Sequence, residues 1–166
     1  MKKITIVIIL CLCVLLCSCG RMEPVYAEPT NFYYCNQTVS YNSSVGLISP
    51  EVRESAEFNH DIGKFMEAYL RGPVSDELYL IIPKNAVLLS VEIEENTATL
   101  NFSKEFAELS GIDLTTAGVG IVKSLYDYAG IETVTISAEE ALLDERESFT
   151  LSLEDIVTMD TVTIEE

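Results

Sequence analysis

Four of the five cysteines, Cys11, Cys13, Cys17 and Cys19, crowd into nine residues, a spacing that raises the question of a thiolate metal site. A structural metal such as zinc needs a closed shell of Cys or His ligands. Here the surroundings are a nearly unbroken apolar run over residues 4–17, which offers no such shell, and the thiols read as small hydrophobes. Cys35 stands apart with no partner for an intramolecular disulfide and reads as a buried strand residue. His60 is the single imidazole that could activate a serine or cysteine nucleophile, and no Gly-x-Ser-x-Gly elbow accompanies it. Gly118-Val119-Gly120 lacks the third glycine of a dinucleotide loop and follows no strand. Glu139, Glu140, Asp144 and Glu145 gather carboxylates that could hydrolyse a glycoside or hold calcium, but their spacing fits no EF-hand loop. No catalytic residue, metal ligand or cofactor is expected from these patterns.

The chemistry that the spacing does support lies at the end of the apolar run. Lys2 and Lys3 precede it, and its fourteen residues rise only about 21 Å as a helix, short of a ~30 Å hydrocarbon core. A basic start with an apolar stretch of this length reads as a secretory signal peptide. Leu16-Cys17-Ser18-Cys19 at its end resembles a bacterial lipobox, in which a small residue precedes a cysteine that receives a diacylglyceryl thioether before cleavage. Cys19 then becomes the first mature residue, and two or more acyl chains on it hold a protein stably to a bilayer. A competing site remains: Val25-Tyr26-Ala27 resembles an ordinary signal-peptidase site, with secretion after Ala27 as the alternative.

Charge narrows the partners. The 166 residues carry 10 Lys+Arg against 27 Asp+Glu, a net charge of −17 and a pI near 4.2. Nucleic acid is excluded, because phosphate binding depends on clustered cations. Anionic headgroups are repelled as well, so any membrane attachment must be hydrophobic or covalent, as through a lipid on Cys19. With 48% hydrophobic residues the chain is too apolar to be disordered. We divide it into a signal peptide (1–18), a lipidated cysteine with a tether containing Pro24 and Pro29 (19–29), one folded domain (30–155) and an acidic tail (156–166).

Periodicity then supplies the elements. Phe32-Tyr33-Tyr34-Cys35 reads as a strand, and residues 36–58 as a polar loop with room for one short strand. Ile62, Phe65, Met66, Tyr69 and Leu70 form one helical stripe, capped by Asn59 or Asp61 and stopped by Gly72 and Pro73. Residues 86–93 and 97–102 make a hairpin, with Leu89, Val91 and Ile93 facing one way and Ala98, Leu100 and Phe102 on the return strand. Residues 103–109 read as a short helix closed by Gly111. A second main helix begins at Thr115 or Thr116 and ends at Gly130. Residues 133–137 and 149–153 alternate as further strands. The order βαββαβ predicts a two-layer α+β domain, with two main helices on one face of a mostly antiparallel sheet.

Several of these segments carry a family resemblance. Glu67-Ala68-Tyr69-Leu70-Arg71-Gly72-Pro73 resembles the helix end of the GerMN domain of spore germination and sporulation lipoproteins. Pro83 with Leu88-Leu89-Ser90-Val91, and Thr97-Ala98-Thr99-Leu100-Asn101-Phe102-Ser103 with Phe106, resemble its next two strands. Ile121-Val122-Lys123-Ser124-Leu125 and Val134-Thr135-Ile136 resemble its second helix and the strand after it. The likeness covers about residues 32–143 as a single copy, and Ala138-Glu139-Glu140 departs from the acidic-glycine turn usual at that point. It implies a lipid-anchored envelope domain of a Gram-positive, spore-forming bacterium that acts as a non-catalytic interaction module, with no catalytic residue to carry over.

The expected function is therefore a lipid-tethered module that binds another envelope protein. An exposed sheet edge could accept a partner strand. The candidate edges are residues 133–137, with Thr133, Thr135 and Ser137, and residues 149–153, with Thr150 and Ser152. The alternative is a ligand-binding lipoprotein that recognises a cell-wall fragment, sugar or cation through the acid clusters.

Overall fold

The computed structural model describes residues 29–38, 46–58 and 60–156. The expected signal peptide, the lipobox-like Leu16-Cys17-Ser18-Cys19, the expected tether up to residue 28 and the tail from residue 157 lie outside the described residues. In order the elements are β1 (Thr30–Asn36), β2 (Ile48–Arg53), α1 (Ile62–Leu70), β3 (Leu78–Tyr79), β4 (Leu88–Glu94), β5 (Thr97–Phe102), α2 (Gly111–Ala129), β6 (Thr133–Ala138) and β7 (Ser148–Ser152). Short 3-10 turns cover Ser55–Phe58, Lys104–Glu108 and Leu153–Asp155.

The fold is α+β with two main helices, but its strands divide between two sheets. One has the order β2-β1-β3, antiparallel throughout. The other has the order β4-β5-β6-β7, antiparallel except where β5 and β6 run parallel. A parallel pair needs a crossover connection, and α2 provides it. β2 and β3 raise the strand count above the βαββαβ order, because the polar stretch before α1 and the segment after Pro73 each add a strand to β1. α2 packs against β1 of the first sheet and against β6 and β7 of the second, so it does not simply cover one face of a single layer.

Helix α1 follows the expected stripe, with Ile62, Phe65, Met66 and Tyr69 buried. Asp61 caps it by accepting a 3.1 Å bond from the Lys64 amide. Gly72 closes it at φ +86°, a left-handed conformation that costs glycine little. Helix α2 starts four residues before the expected Thr115. Gly111, read as a helix stop, opens α2 at φ +55°, and its amide donates to the Asp144 carboxylate at 2.9 Å. Thr115 and Thr116 lie within the helix, and their hydroxyls bond back to the carbonyls of Gly111 and Ile112.

Two glycines in α2 are set by close approach. A Cβ at Gly118 would lie 2.7 Å from the Phe149 ring, and one at Gly120 would lie 2.6 Å from the Tyr69 hydroxyl and 2.9 Å from the Tyr33 carbonyl. Gly118-Val119-Gly120 is thus the seam where α2 meets both sheets. Around it, Phe65 stacks between Phe32 (4.5 Å) and Tyr128 (4.3 Å), and Tyr34 stacks on Tyr69 (5.0 Å). In the second sheet the fully buried inward residues are Ala98, Leu100, Val134 and Ile136, joined by Phe102, which stacks on Phe106 at 4.4 Å.

One inward assignment changes. A register irregularity between Leu88 and Ser90 turns Leu89 outward, 46% exposed, and leaves Leu88, Val91 and Ile93 against the core. A bulge of this kind inserts one residue and shifts the alternation behind it.

Candidate functional site

Strand alternation builds the most distinctive surface. Thr97-Ala98-Thr99-Leu100, Thr133-Val134-Thr135-Ile136 and Phe149-Thr150-Leu151-Ser152 each alternate a polar with an apolar side chain. With the apolar set buried, the polar set must share the opposite face. The registers place Thr99, Thr135 and Thr150 in one row, Thr97, Thr133 and Ser152 in a second, and Asn101, Ser137 and Ser148 in a third. Neighbouring rows sit about 6.6 Å apart along the strands and neighbouring strands about 4.8 Å apart. The hydroxyls also hold one another. Thr135 and Thr150 share a 3.0 Å hydrogen bond, and Ser137 donates to the Asn101 side-chain oxygen at 3.1 Å.

These nine positions hold no charged side chain, although the chain carries −17. Carboxylates border the face through Glu92 opposite Thr99 and Glu94 opposite Thr97 on β4. Below Thr133, Glu132 accepts from Asn96 at 2.6 Å.

All five residues expected to mark a partner edge, Thr133, Thr135, Ser137, Thr150 and Ser152, lie together on this face. They do not all lie on an edge. β6 is paired on both sides, by β5 and β7, so residues 133–137 offer no free strand; β7 is the outer strand. Thr97, Thr99, Asn101 and Ser148 complete the surface and were not expected. The signal that reveals Thr97 and Thr99 is the Thr-x-Thr motif repeated on β5 and β6.

The other candidates take structural positions. Asp144 anchors the start of α2, as described, within a hairpin where Glu140, Asp144 and Glu145 adopt positive φ. Among the described residues, no group of three or more His, Cys, Asp or Glu is placed to hold a metal. His60 is exposed, at φ +58° in the turn before α1. Cys35 is buried in β1 opposite Ile48 and Tyr79, and burial pushes its thiol pKa up.

Two polar clusters fasten the first sheet. Arg53 donates to Glu51 at 2.6 Å and to the carbonyls of Ala68 and Gly72, and its guanidinium lies 4.8 Å from the Phe32 ring centre. Burial pulls the Glu51 pKa upward, but bonds from the Ser75 amide, Arg53 and the Val74 amide outweigh it and hold it below its usual value. On α2, Asp127 accepts from Asn31 (2.7 Å) and from the Tyr33 hydroxyl (2.9 Å), and the Lys123 ammonium sits 4.8 Å from the Tyr33 ring centre. Burial, with Asp127 beside it, pushes Tyr33 up to about 12. Elsewhere a groove of about 440 Å³ runs between α1 and β4, with Asp61 and Glu67 on its rim and Ile62, Leu88 and Val91 in its wall. No described helix is long and apolar enough to cross a membrane.

Comparison with known proteins places this architecture. The tandem GerMN domains of the sporulation protein GerM from Bacillus subtilis match with a TM-score of 0.55 at 17% identity, covering 81% of this chain and 49% of that one. The chain therefore spans about half of that tandem protein. A Clostridium perfringens protein provisionally assigned as a lipoprotein matches with a TM-score of 0.49 at 21% identity, covering 80% of this chain and 95% of that one. The first GerMN domain of GerM, taken by itself, gives 0.46 at 13% identity over 69% of this chain and 85% of that one. No curated protein matches the sequence significantly. The family model Germane, described as "Sporulation and spore germination", matches residues 31–144, more than half of the chain. This chain is a member of the Germane family, the family of GerMN-type domains.

Proposed function

We propose that the chain is a lipid-anchored, extracytoplasmic and non-catalytic interaction module that contributes to a sporulation or germination assembly of the cell envelope. The hydroxyl-bearing face of β5, β6 and β7 is its contact with another envelope protein. One observation carries this reading: an uncharged, self-bonded polar face on an otherwise strongly acidic domain. Such a face lets another protein approach without charge repulsion and offers it hydroxyl donors and acceptors. Family membership supplies the sporulation context, and the lipobox supplies the tether.

The test is crosslinking in living cells followed by affinity purification. Replacing Thr99, Thr135 and Thr150 together by Arg should cut recovery of the dominant partner at least about tenfold, since a buried unpaired charge at an interface costs a few kcal/mol. Unchanged recovery would overturn the assignment of the face. The anchor is tested separately. Cys19→Ala should move the protein from membrane to medium or accumulate its precursor, and unchanged fractionation would mean that Cys19 is not lipidated.

The groove between α1 and β4 favours a second reading, recognition of a cell-wall fragment, sugar or cation by its two carboxylates above an apolar wall. Calorimetry with muropeptides and with Ca²⁺ distinguishes the two, because heat abolished by Glu67→Gln belongs only to the groove.

A further inference from the structure

β7 is the outermost strand of its sheet, with β6 on one side and no described strand on the other. Natural proteins guard such edges with charge, proline or a bulge. Ser148-Phe149-Thr150-Leu151-Ser152 has neither charge nor proline, and its register with β6 runs without interruption. Phe149 is left half-buried. An unguarded edge on a folded domain calls for an occupant.

The sequence beyond Ile156 holds a matching one. Thr161-Val162-Thr163-Ile164 is identical to Thr133-Val134-Thr135-Ile136, the first four residues of β6. Thr97-Ala98-Thr99-Leu100 on β5 alternates in the same way. This is the alternation by which the sheet sends hydroxyls to one face and aliphatic groups to the other. We propose that residues 161–164 add to the free edge of β7 in their own molecule, antiparallel, as a fifth strand. Val162 and Ile164 then cover Phe149 and Leu151, while Thr161 and Thr163 extend the hydroxyl face by one strand. Asp160, Glu165 and Glu166 flank the new edge with the charges that β7 lacks.

The chain has the length to do this. After Ser152, the Leu153 amide is still held at the Glu132 carbonyl (2.9 Å), and the turn Leu153–Asp155 closes with the Ile156 amide on the Leu153 carbonyl (3.1 Å). Four residues, 157–160, then precede the segment. They span up to about 13 Å at ~3.3 Å each, against the ~4.8 Å that separates neighbouring strands. So short a connection gives the segment a local concentration in the millimolar range at its own edge, which favours it over the tail of a second copy.

Hydrogen exchange tests the proposal on the full chain, wild type against Val162→Pro/Ile164→Pro, because proline cannot donate to a ladder. β7 exchange is read as a ratio to exchange in β5 and α2, so a general loosening of the fold cancels. The expected result is β7 exchange at least about tenfold faster in the variant, with wild-type protection independent of protein concentration. Equal ratios in the two proteins would overturn the proposal. Protection that rises with protein concentration would also overturn it, by giving the edge to another molecule's tail.

Discussion

The two sheets of this domain solve the same problem in opposite ways. β1 is enclosed: β2 and β3 flank it, α2 packs on it, and its polar groups find distant partners in Asp127 and Ser124. Phe32 and Tyr34 stack on Phe65 and Tyr69 of α1, Phe65 stacks in turn on Tyr128 of α2, and Arg53 ties β2 to the end of α1. The β4–β7 sheet buries Ala98, Leu100, Val134 and Ile136 together with Phe102 and turns its hydroxyls to the other face, where Thr135 bonds Thr150 and Ser137 bonds Asn101. The first half is fixed by internal contacts, and the partner contact proposed above rests on the second.

The largest test of this contrast is Phe65→Ala. Phe65 is fully buried and stacks on two rings, so its loss should cost about 3–5 kcal/mol, read as a lower denaturant midpoint. A loss below 1 kcal/mol would mean that the aromatic frame is not the stabilising half. Gly120→Ala should cost about 1–3 kcal/mol, because the added methyl meets the Tyr69 hydroxyl and the Tyr33 carbonyl. Thermal unfolding measures it, and an unchanged melting temperature would mean that the seam has slack.

A smaller effect is expected from pH. The folded Glu51 pKa is depressed, so Glu51 contributes stability that is present above its unfolded pKa of about 4.3 and is lost as pH falls through the folded value. Glu51→Gln should therefore flatten part of the acid limb of the stability curve while lowering stability at neutral pH. An unaltered acid limb would remove the Arg53–Glu51 pair from the frame. Least of all, Thr135→Ala should change stability by no more than about 0.5 kcal/mol, since its hydroxyl bonds only to Thr150 on an open face. A large loss there would show that the open face is part of the frame after all.

What the sequence made legible follows from how local each signal is. α1, the β4–β5 hairpin and the cores of β5 and β6 rest on periodicity within a few residues, and they appear where expected. The division into two sheets rests on pairings that no local pattern reports. β1 meets β2 across the intervening polar loop, and the two residues of β3 carry no alternation to read. The bulge at Leu89 looks like ordinary alternation until its partner strand is known. Gly111 resembles a stop because glycine is frequent there, and only the contact with Asp144, 33 residues later, turns it into a start. Thr133, Thr135, Ser137, Thr150 and Ser152 were found, but as edge markers, and the rest of the surface was not. Their common face emerges only when β6 is seen between β5 and β7.

The contact between Asn31 and Asp127 spans 96 residues. A polypeptide delivered from its N-terminus presents Asn31 and Tyr33 first and their partner Asp127 almost a hundred residues later. Such non-local closure slows folding, since loop entropy is lost before contacts compensate it. For that interval the part of β1 that α2 covers stays open, although Phe32 and Tyr34 already meet Phe65 and Tyr69 of α1. Premature termination anywhere before residue 127 leaves the first sheet without the Asp127 contacts that fasten Asn31 and Tyr33.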